Sequence, residues 1–221
     1  IADGDWSSDV CSSDLQGILT ITGPIAHFEI GGQEFFLDEV CPGKIIELPP
    51  EICGTFDMNL AGTKYPVGVV FFNDIFPMLT HDFYLSDGTA VGDGSATIVN
   101  STNAGGSGNE VFCNNINLVA KFGWPVDGAS LLFNDAGGNV NLRVNGVLAN
   151  VDNLIDLDGV ILGGVKVNVT MNTATQGKLV LEGVIMSGFL PDSELMIGGQ
   201  ELSIDEICPG DRAPVPDPRE C

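Results

Sequence analysis

Val165-Lys166-Val167-Asn168-Val169-Thr170-Met171 is the stretch on which the fold turns. Apolar residues occupy every second position. On a pleated strand successive side chains point to opposite faces, so this spacing buries Val165, Val167, Val169 and Met171 together and leaves Lys166, Asn168 and Thr170 facing outward. Phe28-x-Ile30 and Leu142-x-Val144 repeat the alternation. The 29 glycines and 12 prolines are scattered widely enough that few windows could hold three turns of helix. Gly-Gly and Asn-Gly between apolar runs supply the positive φ angles of tight hairpins. One window, Glu110 to Lys121, admits a helix, with Val111, Phe112, Ile116, Val119 and Ala120 along one face. Many short alternating strands bury their faces in a sandwich or a barrel. The expected fold is therefore all-β, an antiparallel β-sandwich, with a barrel as the alternative.

Internal similarity organises the chain further. Ile30-Gly31-Gly32-Gln33-Glu34-Phe35-Phe36-Leu37-Asp38-Glu39-Val40-Cys41-Pro42-Gly43 returns as Ile197-Gly198-Gly199-Gln200-Glu201-Leu202-Ser203-Ile204-Asp205-Glu206-Ile207-Cys208-Pro209-Gly210, with ten of fourteen positions identical. A weaker copy spans Leu142 to Leu154, and a fourth begins at Phe83-Tyr84-Leu85-Ser86-Asp87-Gly88. An apolar segment precedes each: Ile18 to Gly23, Val69 to Asp74, Leu131 to Asp135 and Leu179 to Gly183. The implied unit is strand, loop, strand, Gly turn, strand, near 17–43, 67–99, 128–155 and 179–210 within a single domain, 16–221. The uncharged stretch Gly94 to Asn109 reads as a mobile surface loop. The proline-rich tail, 211–221, reads as an extended surface segment.

Thirty acids against eight lysines and arginines give a formal charge of −22, which repels nucleic acid and anionic membranes. With 44% hydrophobic residues the chain has the material for a core. No apolar run reaches the roughly 18 residues of a membrane span, so no membrane insertion is expected. Asp5-Trp6-Ser7-Ser8-Asp9-Val10-Cys11-Ser12-Ser13-Asp14-Leu15 is identical to one reading frame of a widely used short-read sequencing adapter, so residues 1–15 are read as foreign and set aside. The gene is then expected to come from an environmental or draft assembly.

The cysteines follow the repeats. Cys41 and Cys208 each stand in Cys-Pro-Gly, and each is followed past prolines by another cysteine, Cys53 and Cys221. Equivalent spacing suggests two local disulfides, Cys41–Cys53 and Cys208–Cys221, and hence an oxidising location: periplasm, cell surface or medium. Buried free thiols compete with this reading, and zinc competes weakly, since no C-x-x-C is present and the histidines lack ligand spacing. Cys113 is left unpaired and reads as a small buried hydrophobe.

Catalytic signatures are sparse. His27 lies on an expected strand. His81-Asp82 could orient a base, but neighbours on a strand face opposite ways. No nucleophile elbow, phosphate loop or H-E-x-x-H occurs. Paired carboxylates stay open, because their pairing is spatial. Calcium is the expected cofactor if there is one: Asp152, Asp156 and Asp158 are evenly spaced and share a face if their segment is a strand, and Asp87-Gly88 with Asp93-Gly94 is a second candidate. Asp-Gly as plain turn chemistry is the alternative. Trp124 is the candidate ligand platform, against a core or turn-packing role. Asn100-Ser101-Thr102 and Asn168-Val169-Thr170 are glycosylation sequons. Together these features point to a non-enzymatic secreted or cell-surface structural or adhesive protein that self-associates. A calcium-dependent carbohydrate-binding module recognising an extracellular glycan, and a carboxylate-based hydrolase, are the alternatives.

Overall fold

The structure is a computed structural model, and it describes residues 53–186 and 195–213. The adapter-like segment, His27, the Ile30 copy of the repeat, Cys41 and Cys221 lie outside the described residues. Thirteen strands build the described part: β1 (Lys64–Pro66), β2 (Val70–Phe72), β3 (Pro77–Tyr84), β4 (Ala90–Val91), β5 (Ser95–Asn100), β6 (Asn109–Asn114), β7 (Ile116–Ala120), β8 (Val126–Val144), β9 (Val147–Val151), β10 (Ile161–Leu162), β11 (Val165–Met171), β12 (Gln176–Ile185) and β13 (Leu195–Pro209). The one helical element among them is a single 3-10 turn, Leu154–Leu157. All pairings are antiparallel, and the sheet does not close: its main path runs β1-β5-β6-β13-β8-β12-β11-β10. The fold is thus all-β and sandwich-like, as the alternation demanded, and among the described residues the strands do not close into the alternative barrel.

Two long strands, β8 and β13, run through both halves of this arrangement. At its start β13 pairs with β7, Leu195↔Ala120 to Gly199↔Ile116, and farther on with β6, Leu202↔Cys113 to Ile204↔Val111. On its other side it follows β8 throughout. Where β13 changes partner its register slips around Glu201, opposite Gly137 of β8. The backbone is irregular at two further places on this level. Gly137 and Gly138 take positive φ in β8, and Asn115 takes φ +51 between β6 and β7. Bulges of this kind let a strand pass from one layer to the other. Gln200 ties the bend together: its Oε1 accepts from Asn139 N at 2.8 Å, and its Nε2 donates to Asn115 Oδ1 at 3.3 Å. One continuous core draws on both halves, including Met78, Leu118 and Leu142 with Ile98, Leu131 and Leu179. In β11, Val165, Val167 and Val169 are buried as expected.

Four expectations are corrected. Glu110 to Lys121 is not a helix, because Asn115 breaks it into β6 and β7 and both pair with β13. Gly94 to Asn109 is not one loop. Ser95 to Asn100 is β5, and Ala104 within the remaining turn is buried. Gly198-Gly199 is not a hairpin turn, since β13 passes straight through it. A Cβ on Gly198 would collide with the Ile116 carbonyl and the Asn117 Cα, so glycine serves close backbone approach here rather than positive φ. The Leu142 copy behaves differently, turning tightly at Asn145 (φ +49) and Gly146 (φ +81) into β9. Similar sequences have therefore taken dissimilar conformations. The fourth correction concerns the disulfide. Cys53 bonds to Cys208, across 155 residues, so neither can join Cys41 or Cys221. The reason is local strand pairing: Gly54 N donates to Ile207 O at 2.7 Å and Ile207 N to Gly54 O at 3.0 Å, which sets the two cysteines side by side. At the far end of the described chain, Ala213 is buried, its N donating to Pro125 O at 2.9 Å.

Candidate functional site

The aspartates expected to share a strand face do not. Leu154 and Leu157 are both buried, and a 3-10 turn places residues three apart on one side, so the segment winds instead of extending. The carboxylates then diverge. Asp158 Oδ1 accepts from Val169 N at 2.8 Å, Asp156 Oδ2 from Asn153 N at 3.1 Å, and Asp152 Oδ1 lies 3.4 Å from Asn139 Nδ2. At the second candidate, Asp87 Oδ1 accepts from Thr89 N at 2.9 Å, and that hydrogen bond holds its carboxyl below the usual range. With Gly88 at φ +83 this is turn chemistry. Trp124 is half-buried and packs against the core. His81 Nδ1 lies 3.4 Å from the Asp82 backbone carbonyl and 3.4 Å from Tyr84 Oη, so its ring neighbour is Tyr84. Cys113 is a free, buried thiol whose pKa is pushed up by burial.

The most unusual chemistry lies between β6 and β13, at residues that no motif marks. Ile204 stands opposite Val111. Continuing that register by one residue sets Asp205 opposite Glu110, and directly opposed side chains share a face within about 5 Å. Both are 0% exposed. Glu110 Oε2 accepts from Ala104 N at 2.8 Å and Asp205 Oδ1 from Glu206 N at 2.8 Å. The other oxygen of each, Glu110 Oε1 and Asp205 Oδ2, is buried with no hydrogen-bond partner among the described residues. Around them, Asp57 Oδ1 accepts from Asn109 N at 2.7 Å, and Glu206 sits at φ +47 in a bulge of β13. The turn from Asn103 to Gly108 closes over the group. A Cβ on Gly106 would strike Asp205 Oδ2, and one on Gly108 would strike Asp57 Oδ1, so only glycine lets the backbone lie this close.

Burial disfavours the charged form of Asp205 and pushes its pKa up to about 7; the charged groups that bear on it, Glu206, Asp57 and Glu110, are all acids and push the same way. Asp135 is a lesser case. Its Oδ2 accepts from Leu154 N at 3.1 Å, its Oδ1 has no partner among the described residues, and burial raises its pKa. Among the described residues no three acid, histidine or cysteine side chains stand together as a ready ligand set. No family model, curated protein or solved structure matches the chain.

A pH dependence follows. Because folding raises the pKa of Asp205, the native state holds a proton that the unfolded chain releases. The stability this group contributes is full below about pH 4 and is lost as pH rises towards 7. Asp205→Asn keeps the shape and removes the charge. In chelator at pH 8 the variant is expected to resist urea better than the parent by about 1–2 kcal/mol, and at pH 4 the two should be equal. An equal gap at both pH values would show that Asp205 does not carry the effect.

Proposed function

We propose that the chain is a non-enzymatic structural or adhesive β protein of an oxidising compartment, at the cell surface or in the medium, and that it self-associates. The observation that carries this reading is the Cys53–Cys208 disulfide, because reducing compartments do not maintain a bond of this kind. The repeated sequence and the acidic, lysine-poor composition support it. Short outer strands also fit: β1 has three residues and β10 two, lengths that limit unregulated edge pairing and leave association to side-chain surfaces. Among the described residues no helix is long and apolar enough to cross a membrane.

Sedimentation velocity on the oxidised full chain, across roughly a hundredfold range of concentration, tests the reading. Discrete oligomers that grow with concentration are the expected result. A monomer at every concentration would overturn self-association. Glycan-array binding abolished by Trp124→Ala would replace the structural role with carbohydrate recognition.

A further inference from the structure

We propose that Glu110 and Asp205, with backbone carbonyls of the Asn103–Gly108 turn, bind a calcium ion. Four observations converge on this place. The two carboxylates follow the Ile204↔Val111 pair by one residue on neighbouring strands, close enough for Glu110 to bear on Asp205, and like charges so placed are unfavourable unless something sits between them. Both side chains are wholly buried, and each keeps one oxygen without a partner among the described residues. Buried carboxylate oxygens of this kind normally meet a donor or a cation. Asp57 and Glu206 add negative charge beside the pair. Finally, the turn that covers it has glycine at the two positions where a side chain would strike a carboxylate, so its backbone comes within reach of the same space.

The donor set selects the metal. Every candidate ligand is an oxygen, which favours a hard cation over zinc and the softer transition metals. Magnesium dehydrates reluctantly and keeps several waters, for which a pair of wholly buried carboxylates leaves little room, whereas calcium accepts six to eight oxygens at varied angles and draws readily on carbonyls. Two side-chain ligands rather than three also agree with the lack of a ready three-residue set among the described residues. The affinity expected of such a site is about 10⁻⁴ to 10⁻³ M, the range of extracellular modules. This ion would not engage Asp152, Asp156 and Asp158, whose carboxylates have hydrogen-bond partners of their own.

The test uses the full chain, stripped with chelator at pH 8. Calcium chloride at about 10 mM, well above the expected Kd, should raise Tm by several degrees, and magnesium chloride at the same concentration should raise it less. Equilibrium dialysis with radioactive calcium should find one ion per chain, lost in Asp205→Asn and in Glu110→Gln but kept in the Asp152→Asn/Asp156→Asn double variant. A near-ultraviolet circular dichroism spectrum matching the parent establishes that each variant is folded. In the parent, calcium should also slow hydrogen exchange in residues 101–108. The proposal fails if dialysis finds no bound calcium, if Asp205→Asn binds as the parent does, or if exchange in 101–108 is unchanged.

Discussion

Replacing Cys53 and Cys208 together with serine is expected to lower the free energy of unfolding by about 4–5 kcal/mol, the cost of releasing a very long closed loop in the denatured chain. For a chain of this size that corresponds to a fall in Tm of roughly 10–15 °C. The bond fastens Cys53 to the end of β13, beside a bridge of only two backbone hydrogen bonds. Those two bonds cannot replace the cross-link, because each contributes about 1 kcal/mol net. Urea titration of the oxidised parent against the double variant measures the effect. Non-reducing peptide mapping checks the pairing itself: a single linked species carrying Cys53 and Cys208 is expected, and a Cys41–Cys53 peptide would refute it. A loss below about 1 kcal/mol would show that strand pairing alone holds this corner.

The second large effect concerns Gly198. Alanine there drives its Cβ into the Ile116 carbonyl and the Asn117 Cα, which are backbone atoms of β7 and cannot swing aside. Either β7 separates from β13 or both strands distort, and the expected cost is about 3 kcal/mol. Gly88→Ala is the control. Its position has φ +83 but open space, so only the conformational cost of about 1–2 kcal/mol applies. Comparing the two in denaturant separates crowding from backbone strain. Equal losses would mean that Gly198 is not held against β7.

These glycines also mark what could be read from the residues in advance. The alternation in Val165 to Met171 was sufficient for β11, and Asn145-Gly146 for its hairpin, because both depend on neighbours a few residues away. Gly198-Gly199 carries the same local signal as a turn, but its role is set by Ile116, Asn117 and Leu202 packed against it. Sequence shows that a glycine is needed without showing which of its two uses applies. Asn115 similarly decides between helix and strand for its segment through the partner strand β13, far away in the chain. The candidate site was less legible still. Asp205 occupies the same place in its repeat as Asp38, a usable clue, but in a chain with 30 acids one recurring aspartate does not stand out. Its pairing with Glu110 exists only once β6 and β13 are in register. The disulfide was half legible: the spacing identified two of the right cysteines as cross-linked, and strand pairing chose their partners.

The position of β13 has a consequence for biosynthesis. The strand that joins β6 and β7 to β8 is the last of the thirteen described strands in chain order, so its pairings with them form only once Leu195–Pro209 has been synthesised. Until then β6 and β8 each present an unpaired edge, and contacts this distant in sequence form slowly. A nascent chain of this design gains little by folding during translation.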